Sequence, residues 1–279
     1  MSTGMPLGKH FSELRSRLIR IVITVIIITV FLMTVGFNEY NINQVNKDAE
    51  ESINNKFIIY YPKPDPFNNT ATQIALFMSN TLLPKEVKLI QTAPGQAFFA
   101  QINIAILIAI IASIPVIVKE TFGFISPAII NKEKRIKQIV KISIPATGLL
   151  IVGMIFSYVL VIPFVLDFLY KYGESIGVAT FLNINDFISF VLQFLLGFGI
   201  SFELPVIMYI VSLTDLVDYN FWRKNFRYAL LVFVILGAII TPDGSGITMW
   251  FITGPMIGLY MVGMMFIKRK EKKILKVKS

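Results

Sequence analysis

A chain of 279 residues that is 55% hydrophobic and only 15% charged, with a mean hydropathy of +0.69, lies far from the roughly 25% charge of soluble domains. The absence of cysteine excludes disulfides, thiolate nucleophiles and Cys-ligated metals, and a single histidine, His10, excludes multi-histidine metal sites. A net charge of +9 would suggest nucleic acid in a soluble protein, but here its placement along the chain follows membrane topology, so neither a nucleic-acid partner nor a cofactor is expected.

Six apolar segments predict an all-α integral membrane protein, with spans at about 18–37, 98–118, 142–166, 187–213, 227–241 and 247–267 in one polytopic domain over 1–279. The first run, charge-free from Ile21 to Phe37, is too long for a cleaved signal peptide and lacks a small-residue cleavage site. The external loop 38–97 carries Pro62, Pro64, Pro66, Pro84 and Pro94 with five Lys against six Asp/Glu. It reads as an ordered cap with short helices such as Ala71–Leu83, and Asn68-Asn69-Thr70 matches a glycosylation sequon. Phe187–Leu213 is apolar except for Glu203. Tyr228–Ile240 covers only about 20 Å of a hydrocarbon core of about 30 Å.

Charge bias decides the topology. With all six segments crossing and both termini cytoplasmic, the inner segments hold 20 Lys/Arg and the outer ones 6. If the short fifth segment did not cross, the seven-charge tail would lie outside, against that bias.

Several polar residues stand out against this background. In the stretch from His10 to Leu18, Phe11, Leu14 and Leu18 fall at helical spacing, which on physics alone reads as an interfacial turn with Glu13 and Arg17 as an i,i+4 pair. Phe122 to Arg135 reads as a positive inner loop, with Glu133 solvated among cations. Asp243, after Thr241-Pro242, reads as an external turn. Glu203 is different, because an ionised carboxylate facing lipid costs at least a few kcal/mol. It must face a partner or a water-filled concavity, or be protonated, and an intramembrane ionisable group is a functional hypothesis by default. Gly197 and Gly199 allow another backbone to approach closely, and Pro205 frees a carbonyl.

These landmarks resemble the C subunit of the twin-arginine protein translocase, the TatC family. The matching pieces are His10-Phe-Ser-Glu-Leu-Arg-Ser-Arg-Leu18, Ser113-Ile-Pro-Val116, Phe124-Ile-Ser-Pro-Ala128 with Glu133-Lys-Arg135, Tyr158 with Pro163, Phe202-Glu-Leu-Pro205, Thr241-Pro-Asp243 and Pro255-Met256. They occur in family order over residues 10 to 256. The resemblance implies a concave, glove-like six-span bundle in a prokaryotic plasma membrane rather than an organellar one. It also implies a receptor, not an enzyme, that binds twin-arginine signal peptides at its cytoplasmic face. The implied partners are TatA/TatB-type single-span subunits and further copies of the chain, in a hetero-oligomeric complex that exports folded proteins using proton-motive force.

The resemblance also assigns residues. Glu13 and Glu133 fall on the family's signal-binding positions, with Arg15, Arg17, Phe124, Pro127 and Arg135 around them. Glu203, with Tyr158, Pro205 and Thr248, falls on the intramembrane polar and partner-contact positions. The chemistry is consistent, since guanidinium groups cannot lose their protons and favour bidentate carboxylates. Only Glu13, Glu120 and Glu133 lie near the first two inner segments. The chain departs from the family in its longer first outer loop, in Lys134 where many relatives have arginine, in Phe122 for a common tryptophan, and in the stretch Gly244 to Thr248, which lacks the family's glutamine and leaves Thr248 as a substitute. An alternative class is a proton-coupled secondary transporter using Glu203, which should show inverted repeats; none stands out.

Overall fold

The computed structural model describes residues 7–41, 58–84, 87–125, 147–178, 181–213, 217–241 and 246–278. It is mostly helical, and it forms two compact units, Met1–Thr81 with Ala93–Phe124, and Leu82–Thr92 with Ile125–Ser279. Among the described residues, four helical stretches are long and apolar enough to cross a membrane: Phe11–Thr34, Thr147–Ser175, Ile184–Tyr209 and Gly246–Glu271. Gln96–Ala112 and Phe226–Ile240 are shorter apolar helices.

In the first unit, helix α1 (Leu7–Thr34) leads directly into strand β1 (Val35–Asn41), which pairs antiparallel with β2 (Ile58–Pro64) in a register from Val35 opposite Pro64 to Asn41 opposite Ile58. The first apolar run therefore ends as helix at Thr34 rather than Phe37, and the all-α expectation is corrected in the outer loop, where a β-hairpin accompanies the expected short helix. The aromatic and β-branched content of Ile58–Tyr61 favours a pleated strand, and Pro62 and Pro64 are tolerated because a two-stranded ladder consists of edge strands. Helix α2 (Thr70–Leu82) lies within a residue of the expected Ala71–Leu83. Fully buried Asn69 starts it, its Oδ1 accepting from the Thr72 N–H at 2.8 Å and its amide donating to the Pro66 carbonyl at 2.8 Å. The Thr70 hydroxyl donates to the Val35 carbonyl at 2.6 Å, tying the helix to the hairpin. A Cβ on Gly36 would sit 1.9 Å from the Asn68 carbonyl oxygen, so only glycine permits this approach.

The second apolar run is broken. Helix α3 (Gln96–Ala112) packs on α1 and ends where the Ser113 N–H and hydroxyl both donate to the Ala109 carbonyl, at 2.9 and 2.6 Å. Helix α4 (Ile114–Ile125) then begins, with Pro115 unable to donate to the preceding turn.

In the second unit, helix α5 (Thr147–Ser175) contains a π-turn at Ser157–Val161, where the Ile162 N–H reaches back to the Ser157 carbonyl. Pro163 follows at once; it cannot donate, and the wider turn absorbs the missing bond. A three-residue strand β3 (Lys88–Ile90) pairs parallel with β4 (Phe181–Asn183). Asn183 caps helix α6 (Ile184–Phe202) by accepting from the Asn185 N–H at 2.9 Å. The fourth run breaks at Glu203, and α7 (Leu204–Leu213) continues it. The short α8 (Tyr219–Lys224) and α9 (Phe226–Ile240) lead to α10 (Gly246–Lys278), which spans 33 residues, or about 50 Å, with Pro255 inside it. Residues near the end of α10 cap its neighbours. Lys270 donates to the Ser212 carbonyl at the end of α7 (2.7 Å), and Glu271 accepts from the Tyr219 N–H at the start of α8 (2.8 Å). Each charge sits at the helix end whose partial charge attracts it.

The core of this unit is aromatic and aliphatic, with Phe187, Phe194, Phe198, Ile162, Val165, Val191, Ile252 and Ile267 almost fully buried. Helices approach closely at glycine. A Cβ on Gly153 of α5 would lie 2.7 Å from the Phe198 carbonyl oxygen of α6, and one on Gly237 of α9 would lie 2.6 Å from Thr253 Oγ1 of α10.

Candidate functional site

Two successive turns of α1 place Glu13, Arg17 and Arg20 along one side, spaced by four and three residues. Arg17 and Arg20 meet the carboxylate of Glu120, which α4 carries in from about a hundred residues away. Arg17 is shared between two anions. Its Nε and Nη2 converge on Glu13 Oε1 at 3.1 and 2.6 Å, while Nη1 donates to Glu120 Oε2 at 3.0 Å and to the Glu120 carbonyl at 3.3 Å. Arg20 Nη1 donates to the other oxygen, Glu120 Oε1, at 3.0 Å. The Glu120 side chain is only 6% exposed, against 18% for Arg17, 27% for Glu13 and 58% for Arg20.

Among the described residues, two cations and two anions thus gather around one buried carboxylate. Both Glu120 oxygens are engaged by guanidinium groups, which is how a charge at that depth is tolerated. The expected i,i+4 pairing of Glu13 with Arg17 is present. Sequence reasoning set Glu120 beside Glu13 and Glu133 as an inner-face carboxylate but assigned it no role. No periodicity links residue 120 to residues 17 and 20, so its partners could be found only in three dimensions.

Arg15 lies on another side of α1, bordering an open apolar surface formed by Phe11, Leu14, Leu18, Ile19, Val22 and Ile23. Phe124 belongs to the last turn of α4. Pro127, Glu133, Arg135 and Asp243 lie outside the described residues.

The residues expected at membrane depth belong to the second unit. Glu203 caps α6 at the break, where its N–H donates to the Ile200 carbonyl (3.1 Å) and its own carbonyl accepts from the Ile207 N–H (2.9 Å). Pro205, with no N–H of its own, is the reason the ladder is interrupted here. The Leu150 backbone amide of α5 lies against the Glu203 carboxyl. Its Oε1 is buried with no hydrogen-bond partner among the described residues, as is Ser157 Oγ in the π-turn. Tyr158 is half-buried in the same π-turn and makes a polar or ring contact of its own. Pro205 is buried against α10, its Cα standing 3.2 Å from where a Gly263 Cβ would be. Thr248, in the first turn of α10, is fully buried and already has a partner within the chain. The structure therefore places Glu203, Tyr158, Pro205 and Thr248 in one unit, with an unsatisfied carboxyl oxygen at a helix break.

Among the described residues, no group of three or more His, Cys, Asp or Glu is arranged to hold a metal ion.

Comparison with known proteins gives a consistent result. The profile of the family described as Sec-independent protein translocase protein (TatC) matches residues 9–255. The Sec-independent protein translocase protein TatC of Cenarchaeum symbiosum is 51% identical over 269 residues, covering 96% of this chain and 97% of that protein. The protein of the same name from Aquifex aeolicus is 30% identical over 276 residues, covering 98% of this chain and 100% of its own length. A crystal structure of the twin arginine translocase receptor TatC superposes with a TM-score of 0.69 at 25% identity, covering 93% of this chain and 98% of the other.

Proposed function

Since this chain belongs to the TatC family of Sec-independent protein translocase proteins, we propose that it is the receptor subunit that binds twin-arginine signal peptides at the cytoplasmic face of a prokaryotic plasma membrane. In this reading the four long apolar helices are joined by the α3–α4 pair and by α9 to make six spans, with both termini cytoplasmic. The short α9 is accommodated by local thinning of the bilayer and by snorkelling of Arg223 and Arg227. Single-span TatA/TatB-type subunits and further copies of the chain assemble on it, and proton-motive force drives folded cargo across.

The observation that carries the reading is Glu13. Two N–H groups of one guanidinium already converge on its carboxylate, at 3.1 and 2.6 Å, which is the chemistry a signal arginine requires. Glu133, with Phe124, Pro127 and Arg135 nearby in sequence, supplies a second carboxylate on the inner side. Arg15 stands beside the apolar surface of α1, which suits the hydrophobic part of a signal. Glu203 serves as a hydrogen-bonding post for an incoming helix, with Tyr158, Pro205 and Thr248 shaping its surroundings and Asp243 turning the chain outside. The proton-coupled transporter reading is not favoured, because the family is one of protein translocases.

The test is crosslinking of a twin-arginine signal peptide to the purified chain, compared with its twin-lysine counterpart. Preferential capture of the twin-arginine peptide is expected, and equal capture of both overturns the reading. Glu133→Gln and, to a lesser degree, Glu13→Gln should weaken binding by about 10- to 150-fold with the protein still inserted and folded.

A further inference from the structure

Glu120 is the most deeply buried charge of the α1–α4 cluster, and the two guanidinium groups that satisfy it are held very differently. Arg17 is 18% exposed and has hydrogen bonds to both Glu13 and Glu120, so it belongs to the framework. Arg20 is 58% exposed and has one hydrogen bond to Glu120, at 3.0 Å, besides one to the Ser16 carbonyl on its own helix at 3.3 Å. With its guanidinium largely in water, Arg20 trades this one bond for hydration at little cost, and only about a two- to fivefold bias holds it on Glu120. The carboxylate it covers, in contrast, cannot be left with one oxygen unpaired without a large penalty. A buried anion with one fixed and one weakly held cation is suited to exchange: a guanidinium can arrive as Arg20 leaves, and the charge at Glu120 stays balanced throughout.

We infer that Glu120 is a further carboxylate for the guanidinium groups of a twin-arginine signal, and that Arg20 occupies it as an internal stand-in until the signal displaces it. The inference rests on the receptor reading above and adds to it a residue and an order of events. It also accounts for selectivity. The position opened by Arg20 faces a mostly desolvated oxygen. A guanidinium is weakly hydrated and planar and can enter such a site, whereas the compact, strongly hydrated ammonium of lysine pays more to leave water.

The experiment measures binding of a fluorescent twin-arginine peptide, and of its twin-lysine counterpart, to the full chain in detergent micelles. Wild type is compared with Arg20→Gln, Glu120→Gln, the double variant and Lys119→Gln, with melting temperatures recorded in parallel. Lys119 is an exposed neighbour that is not an ion-pair partner of Glu120 among the described residues, and it controls for a general loss of positive charge. Arg20→Gln is expected to tighten twin-arginine binding by about two- to fivefold. Glu120→Gln is expected to weaken it by about tenfold or more and to narrow the preference over twin-lysine. The double variant should bind no more tightly than Glu120→Gln alone, because the gain acts through that carboxylate. Unchanged or weaker binding by Arg20→Gln, an equal gain in Lys119→Gln, or a gain that persists in the double variant overturns the inference. The Arg20→Gln arm stands even if Glu120→Gln fails to fold. Failure of wild type to prefer the twin-arginine peptide would instead overturn the receptor reading, and this inference with it.

Discussion

Exchanging Glu203 for methionine keeps the length and approximate volume of the side chain while removing both carboxyl oxygens. One of them, Oε1, is buried without a partner among the described residues, and an unsatisfied buried polar atom costs about 1–3 kcal/mol. The exchange also loses the interaction of the carboxyl with the Leu150 amide, worth about 0.5–1.5 kcal/mol. The balance runs from about 0.5 kcal/mol against methionine to about 2.5 kcal/mol in its favour. At roughly 2–4 °C per kcal/mol for a chain of this size, the variant should melt between about 2 °C below and about 10 °C above wild type in detergent. Export of a folded twin-arginine reporter, in a strain lacking its own translocase C subunit, should fall. Methionine removes the post that an incoming helix bonds, whereas Glu203→Gln keeps a hydrogen-bonding group and should retain substantial export. A methionine variant that melts several degrees below wild type would show that the carboxyl is satisfied in the folded chain and refute the energetic reasoning. Export lost equally in the glutamine and methionine variants would replace the hydrogen-bonding role with a titrating one.

Three further predictions rest on other parts of the molecule. Gly153→Ala places a Cβ 2.7 Å from the Phe198 oxygen and 2.9 Å from Phe202 Cβ and Cγ; the overpacking should cost about 1–3 kcal/mol, read as a lowered melting temperature, and an unchanged one would show that α5 and α6 can separate freely. Asp65 accepts from the Asn68 and Phe67 N–H groups, both at 3.0 Å, and these bonds, helped by Lys63, hold its carboxyl below the usual carboxylate value. A depressed folded-state value means that its contribution to the turn is present above the ordinary value of about 3.9 and is lost as pH falls through the lower folded one. Amide exchange at Phe67 and Asn68 should accelerate in that acid range, and Asp65→Asn should flatten the pH dependence. Topology reporters fused after Lys270 and after Arg135 should read cytoplasmic, and those within residues 45–90 and after Gly244 external; a cytoplasmic signal after Gly244 would refute the six-span arrangement.

Much of the architecture could be read along the chain because lipid leaves the backbone few choices. An apolar run in lipid must satisfy its own N–H and C=O groups, so long charge-free stretches become helical over most of their length. The segment expected at 227–241 is α9 at Phe226–Ile240, and the outer helix expected at Ala71–Leu83 is α2 at Thr70–Leu82. Prolines were visible too, and Pro115, Pro163 and Pro205 each coincide with a break or a π-turn because each removes a donor from the helical ladder. Family membership was legible because the matching motifs are local in sequence and occur in family order over residues 10 to 256.

Tertiary structure decided what depends on partners distant in sequence. Val35–Asn41 becomes a strand rather than the end of a span because Ile58–Pro64 pairs with it and Gly36 lets the Asn68 backbone approach. Glu120 reads in sequence as one more inner-face carboxylate, yet it is the buried centre of the α1–α4 cluster because two arginines a hundred residues earlier reach it. Hydrophobicity and backbone satisfaction are local properties that sequence alone determines; which buried charge meets which guanidinium is a contact between surfaces, and it exists only once the helices have packed.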